Sequence, residues 1–304
     1  SVLPYRGRLL VRGVDKDGTQ KKYRINYKPS LFVPVKKETK YKTLDGRYVE
    51  KIKFDSMPEA TKWVNEYKNV TNFEYFGNTR HQYPFIADEF KGKIDWDMNK
   101  IKLLTIDIEC ESENGFPSPE KADQPLICIT VKDHTTKKII VFGMGNFVND
   151  REDVQYINCV TETGLVETFT KFWVEYNPDI ITGWNVKFFD IPYLMNRFRY
   201  LMGDEWLNQF SPWGIVEQKS ASVLFASREQ QVWNIMGVDT LDYLDLYRKF
   251  TFVRRESYKL DYIGEVELGQ NKLDNPYDTF KEFYSNDYQR FVEYNIQDVE
   301  LVDK

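Results

Sequence analysis

Histidine and cysteine are scarce in this chain. Its two histidines, His81 and His134, stand far apart, and its three cysteines, Cys110, Cys128 and Cys159, are odd in number and lack metal-ligand spacing, so zinc is not expected. No run approaches the roughly 20 apolar residues of a membrane span. The first residues lack the charged, apolar and small segments of a signal peptide. Neither an internal repeat nor a low-complexity run occurs. These absences place the chain in a reducing, intracellular compartment, with no membrane partner.

What is present is enough for more than one domain, because 304 residues exceed the usual single-domain size. Hydrophobic residues make up 41% and aromatics 16%, which excludes a disordered chain. The net charge of −5 conceals a division: residues 1–100 carry 21 Lys and Arg against 13 Asp and Glu, or +8, and the remainder 21 against 34, or −13. A basic first part can hold a polyanion, whereas an acidic second part repels one except where metal ions bridge carboxylates to phosphate. The plainer reading is two solvated faces of opposite sign.

The most informative stretch is Leu103 to Cys110, LLTIDIEC. Its apolar lead-in predicts a buried strand, yet Asp107 and Glu109, at alternate positions, point to one face of that strand. Two neighbouring carboxylates raise each other's pKa unless a cation neutralises them, so this pair asks for a divalent metal.

Before it, residues 9–35 alternate apolar and polar around Asp15-Lys16-Asp17-Gly18, and a second hairpin is predicted from Tyr41 to Phe54 around Asp45-Gly46. Ser56-Met57-Pro58-Glu59 predicts a capped amphipathic helix. Asn72 to Asn99 is aromatic and turn-rich, and its end marks a boundary between an α+β domain, 1–100, and a second domain, 101–304. After the acidic strand comes a polar loop from Glu111 to Gln124, in which Phe116 either packs back on the core or stands beside the site against a nucleotide base. Leu126–Val131 and Lys138–Phe142 read as antiparallel strands, with His134 a solvated histidine in the turn between them. Glu162–Tyr176 is predicted as a helix stopped by Asn177-Pro178, followed by a short parallel strand over 179–185 and a helix from about Phe189 to Met202. Asp190 falls in the first turn of that helix; alone it would be a cap. A hairpin is expected with Ala221–Phe225 and Gln230–Ile235 flanking residues 226–229. Val238–Phe250 reads as a helix with Asp239, Asp242 and Asp245 on its outer faces, and Lys259–Val266 as another; Lys272 lies in a loop. A last helix, Asp287–Asp303, places Tyr294 and Asp298 four apart on one face, as an exposed pair would also be.

In order these are D-x-E, N-x-x-x-F-D and Y-x-x-x-D, and the set resembles the three motifs of the DEDDy 3′→5′ exonucleases, specifically the proofreading region of family B DNA polymerases. Asp107 and Glu109 fit the first motif, Asn185, Phe189 and Asp190 within ITGWNVKFFD the second, and Tyr294 and Asp298 within EYNIQD the third. The phrases TGWN, FDIPYLMNR, LDYLDLYRKF and the Gly-Phe-Pro-x-Pro loop look like the replicative polymerases of T-even-like bacteriophages. The resemblance covers about residues 101–304; KPSLFVPV and SMPEATKWV are similar to the family's N-terminal domain more loosely.

The resemblance implies an α/β, ribonuclease H-like exonuclease domain, a mixed five-stranded sheet with flanking helices, preceded by a smaller α+β domain. It implies two Mg²⁺ or Mn²⁺ ions held by Asp107, Glu109, Asp190 and Asp298, a water oriented by Tyr294, and 5′-mononucleotides released from single-stranded or frayed DNA 3′ ends. Phe116, Asn185, Phe189 and Lys272 would contact DNA, and the 221–235 hairpin would separate the strands. The family's palm and fingers signatures, Y-x-D-T-D and N-S-x-Y-G, do not occur, and residue 1 is not methionine. The expectation is a fragment, or the product of a split gene, that does not itself polymerise DNA. Its implied partners are polymerase domains of the same or a companion chain, a sliding clamp and RNA, in the cytoplasm of an infected bacterium. The alternative is a nucleic-acid-binding module with a vestigial site, or a standalone exonuclease.

Overall fold

The computed structural model describes Ser1–Lys304 except Lys16, residues 93–95, Asn114 and residues 223–228. It forms two compact units, Ser1–Lys100 and Ile101–Lys304. In the first, β1 (Val2–Tyr5), β2 (Arg8–Val14) and β3 (Gln20–Ile25) form one antiparallel sheet, and β4 (Ser30–Pro34), β5 (Tyr41–Lys42) and β6 (Tyr48–Lys53) a second in the order β4-β6-β5. Helix α1 (Met57–Tyr67) starts where Ser56 Oγ accepts the Glu59 N–H at 3.2 Å while Glu59 Oε2 accepts the Asp55 N–H at 2.7 Å. Two orphan N–H groups are thereby satisfied reciprocally. Helix α2 (Gln82–Glu89) lies in the stretch that the sequence read only as turn-rich; it buries little besides Phe85, so its apolar periodicity is faint.

In the second unit, β7 (Leu103–Cys110), β8 (Leu126–Asp133), β9 (Ile139–Gly143) and β10 (Val154–Asn158) precede α3 (Glu162–Tyr176), β11 (Ile180–Gly183), α4 (Asp190–Met202) and α5 (Asp204–Leu207). There follow β12 (Val216–Ser222), β13 (Glu229–Ile235), β14 (Asp239–Asp242), α6 (Tyr243–Phe250), α7 (Leu260–Leu268), α8 (Phe280–Asn286) and α9 (Tyr288–Asp303). The main sheet runs β10-β9-β8-β7-β11-β14, with β8 antiparallel to β7 and β9 and the remaining pairs parallel. This is the mixed sheet with flanking helices of a ribonuclease H-like domain, with six strands rather than five. The sixth corrects the sequence reading: residues 239–242 are an edge strand paired with β11, and only from Tyr243 does the segment turn helical, because Asp242 caps α6 by accepting the Leu244 N–H at 3.0 Å. β12 and β13 pair antiparallel, and the tip between them lies outside the described residues.

Strand alternation sorts β7 between the two faces of the sheet. Leu104, Ile106, Ile108 and Cys110 join the core built with Leu165, Phe169, Trp173, Leu194 and Phe198 of α3 and α4. The odd-numbered residues, Asp107 and Glu109 among them, face α9, whose Phe291, Val292 and Ile296 pack on Ile127, Ile139 and Val141. The register slips between Glu109 and Cys110, where a bulge ends regular pairing with β8 beside the two acids. His134 is not merely solvated in its turn: its Nδ1 lies 3.0 Å from Asp303 Oδ1, and Lys132 Nζ lies 2.8 Å from Asp303 Oδ2, fastening the end of α9 to the sheet.

Helix α4 also fixes the polar loop that follows β7. Tyr193 Oη donates to the Gln124 carbonyl at 2.6 Å, Asn196 Nδ2 to Pro119 at 2.7 Å and Arg197 Nη1 to Ala122 at 3.1 Å. Arg197 grips both oxygens of Glu162 at 2.7 Å, and Glu162 Oε1 also accepts the Leu126 N–H at 2.7 Å. Both side chains are mostly buried, so removing one strands the other. Arg197→Met is expected to cost about 3–5 kcal/mol, read as a thermal midpoint lower by roughly 10 °C. In the double variant Glu162→Leu, Arg197→Met much of that loss should be recovered; equal or greater loss in the double would show that the charge pairing is not what matters.

Candidate metal centre

Three carboxylates, from Asp107 and Glu109 on β7 and Asp298 on α9, bring one oxygen each to within 4.8 Å of one another. They line a cleft of about 770 Å³, whose wall also includes Phe116, Asn185, Phe189, Asp190, Lys272 and Tyr294. The sequence-predicted residues therefore share one cavity, although Asp190 is not one of the three whose oxygens converge. Its Oδ1 instead accepts the Ile108 N–H at 3.2 Å. Tyr294 and Asp298 are not an exposed pair: Asp298 is only 2% accessible.

Lys272 supplies positive charge inside this cluster. Its Nζ forms an ion pair with Asp298 Oδ2 and donates to Tyr294 Oη at 3.2 Å. One ammonium does not balance four acids. Burial, then the charges of Asp190, Asp298 and Glu109, hold Asp107 well above the usual carboxylate range. Burial and Asp298 push Glu109 up to about 8, burial pushes Asp190 up to about 7, and burial, opposed by Lys272, leaves Asp298 at about 6. Although burial opposes it, the surrounding negative charge raises the Lys272 ammonium above its ordinary value, so it stays charged. Asp298 Oδ1 is buried with no hydrogen-bond partner among the described residues.

Two positioning residues escaped the sequence reading. Asn295, fully buried on α9, donates its Nδ2 to Asp107 Oδ2 at 2.5 Å and accepts from Cys128 Sγ at 3.5 Å through Oδ1. A helical stagger places it on the Asp298 side, but nothing local in the sequence marks an amide aimed at a strand so distant along the chain. Asp242, expected on an outer face of its helix, is 4% accessible and accepts the N–H groups of Asn185 at 3.1 Å and Lys187 at 3.0 Å as well as capping α6. That carboxylate holds the turn leading to Asp190, in which Asn185 takes a left-handed φ of 65°. Just before it, a Cβ on Gly183 would lie 2.6 Å from the Ile106 carbonyl, so the closeness of β11 to β7 requires glycine there.

Phe116 does not pack back on the core. It is 86% accessible, with its ring centroid 5.4 Å from that of Phe189 at the cleft wall.

Comparison with known proteins identifies the family. Residues 61–263 match the exonuclease domain of DNA polymerase family B. The chain is 32% identical to the DNA-directed DNA polymerase of Escherichia phage RB69, over 95% of this chain and 34% of that protein, and 29% identical to that of Enterobacteria phage T4, over 97% and 35%. It is also 31% identical to the DNA polymerase delta catalytic subunit of Candida albicans over 58% of this chain. The chain spans about a third of the length of the two phage relatives. The family match ends before Tyr294 and Asp298, and the phage alignments cover nearly all of this chain. This chain belongs to DNA polymerase family B and carries that family's exonuclease domain.

Proposed function

We propose that the cleft removes nucleotides one at a time from DNA 3′ ends, as the metal-dependent proofreading nuclease of a phage-type family B polymerase. The observation that carries this reading is the convergence of Asp107, Glu109 and Asp298 within 4.8 Å, with Asp298 buried and the other two half-buried. Carboxylate oxygens are the donors that Mg²⁺ and Mn²⁺ prefer. Cations there would relieve the burial and mutual repulsion that hold the acids above the usual carboxylate range, and would give a partner to Asp298 Oδ1, which has none among the described residues. Asp107, Glu109 and Asp298 would hold two ions, with Asp190 contributing the oxygen that Ile108 does not occupy. Bound there, the ions would supply the charge that activates an attacking water and stabilises the leaving 3′ oxygen.

The remaining steps belong to this chain's side chains. Tyr294, kept protonated by burial and by Asp298, would orient the attacking water through its hydroxyl. Asn295 would keep the Asp107 carboxylate in place. Phe116, held 5.4 Å from Phe189, would press against the terminal base, and Asn185 would contact the DNA backbone from the turn that Asp242 fixes. Lys272 would keep Asp298 ionised until the site fills. An unpaired end reaches so enclosed a cleft more readily than a paired one, which supports a preference for frayed or single-stranded 3′ ends. On the same reading Ser1–Lys100 is the family's N-terminal domain, and polymerase domains of the same or a companion chain are its partners.

With Mg²⁺, a labelled single-stranded oligonucleotide should be shortened stepwise from its 3′ end. Chelator should abolish this, a blunt duplex should react more slowly, and Asp107→Ala should lower the rate by two or more orders of magnitude. An Asp107→Ala protein as active as its parent would refute the assignment, and binding without cleavage would favour a vestigial site.

The raised carboxylates also make a prediction independent of activity. A group whose folded pKa exceeds its unfolded value of about 4 adds stability below that value and loses it as pH rises through the folded pKa. In chelator the thermal midpoint should therefore fall as pH rises through the values of about 6, 7 and 8 for Asp298, Asp190 and Glu109. Mg²⁺ should restore most at the highest pH, and Asp107→Asn with Glu109→Gln should flatten the decline. A midpoint that is level or rising across this range in the metal-free parent would contradict it.

A further inference from the structure

We propose that the connection between α6 and α7 is a second nucleic-acid contact, a stacking platform for the part of a single strand lying outside the cleft. The identity of the ligand rests on the nuclease reading above; the surface itself is independent of the carboxylates. From Asp242, which accepts the N–H of the wall residue Asn185, the chain follows the eight residues of α6, a length of about 12 Å, and reaches the wall at Lys259 and Leu260. Both ends of this excursion are tied to the cleft. Trp184, itself on the wall, donates Nε1 to the Tyr258 carbonyl at 3.0 Å and packs near the rings of Tyr243 and Tyr247 at 6.3 and 6.0 Å.

At its far end the excursion presents Phe252, 99% accessible, Phe250, 67%, and Val253, 61%. Single exposed apolar residues are ordinary, but three within four positions form a patch. The stretch 248–255 around them carries Arg248, Lys249, Arg254 and Arg255, in the part of the chain whose balance is −13. Among the described residues only Arg255 has a carboxylate partner, Glu267. Lys249 Nζ lies 5.6 Å from the centre of the Phe250 ring, and the Arg248 guanidinium 4.3 Å from that of Tyr258. Cations interleaved with open aromatic faces suit a ligand offering flat bases and phosphates together, which is what single-stranded DNA exposes and a duplex hides. An apolar protein surface would leave the cations without partners, so the charge favours the strand.

The test compares labelled oligo(dT) of 4 and 16 nucleotides, binding in chelator so that neither is cut. The parent should hold the longer oligonucleotide more tightly. Phe250→Ser with Phe252→Ser should weaken that binding about thirty-fold or more, the effect of losing two stacked bases, while leaving the 4-mer affinity and its Mg²⁺-dependent cleavage nearly unchanged. Lys249→Glu with Arg254→Glu is an independent second variant: on the longer oligonucleotide it should flatten the slope of log affinity against log salt by about 1.4, two phosphates' worth. Equal affinity of the parent for both lengths, or a 16-mer affinity unmoved by either variant pair, would overturn the platform, as would equal losses on both lengths. If the parent cleaves neither oligonucleotide with Mg²⁺ yet binds them by length as described, the nuclease reading fails and the platform stands. If it cleaves both with no length dependence, the platform alone fails.

Discussion

Bringing four carboxylates together, two of them buried and two half-buried, is unfavourable twice over, through lost hydration and through mutual repulsion. That cost organises the second unit. The face of β7 that carries Asp107 and Glu109 is covered by α9, which brings Asp298 as a third acid, Asn295 as a neutral donor and Tyr294 as a hydroxyl. Among the described residues, the cation paired with these acids is Lys272, supplied from a loop. The opposite face of the same strand is ordinary core, so the fold can be stable while one side of its central strand is kept electrostatically unsatisfied. On the proposed reading, such a site would take positive charge from outside, and the phosphate of a nucleic acid would follow only with it.

The rest of the unit fixes geometry around that expense. Asp242 holds the Asn185 turn and so the start of α4, and the side chains of Tyr193, Asn196 and Arg197 on α4 hold the loop that carries Phe116. The exposed aromatic at the cleft wall is therefore mounted on a constrained support. A ring that is solvent-exposed yet held in place loses little conformational freedom on meeting a base, which is the physical case for giving it a binding role.

What the sequence made legible was whatever local chemistry determines. Thr161, whose hydroxyl accepts the Gly164 N–H, and Asn177, in a left-handed conformation before Pro178, bound α3 at both ends, so periodicity and punctuation agreed with the helix found. The alternation of β7 announced two acids on one face. Pairing between distant elements was not legible. β14 reads as the first turn of a helix because Leu241 and Leu244 are three apart, but pairing with β11 overrides that spacing. β10 and α8 lie in segments whose burial comes from Tyr156, Phe283 and Tyr284 meeting α9 and its neighbours, a pattern with no short-range period. Asn295 and Asp242 acquire their roles only from partners far away in the chain. Phe116 shows the converse, since its hydrophobicity left burial open as a reading while the proline-flanked loop holds it outside.

The central claim is that these acids await divalent cations, and the most direct measurement is anomalous diffraction at the manganese edge from crystals equilibrated with Mn²⁺. The account predicts anomalous density bounded by the carboxylates of Asp107, Glu109 and Asp298, with Asp190 alongside. Saturating Mn²⁺ that leaves this space without density, and the Lys272 ammonium still paired with Asp298 as the sole cation, would contradict it.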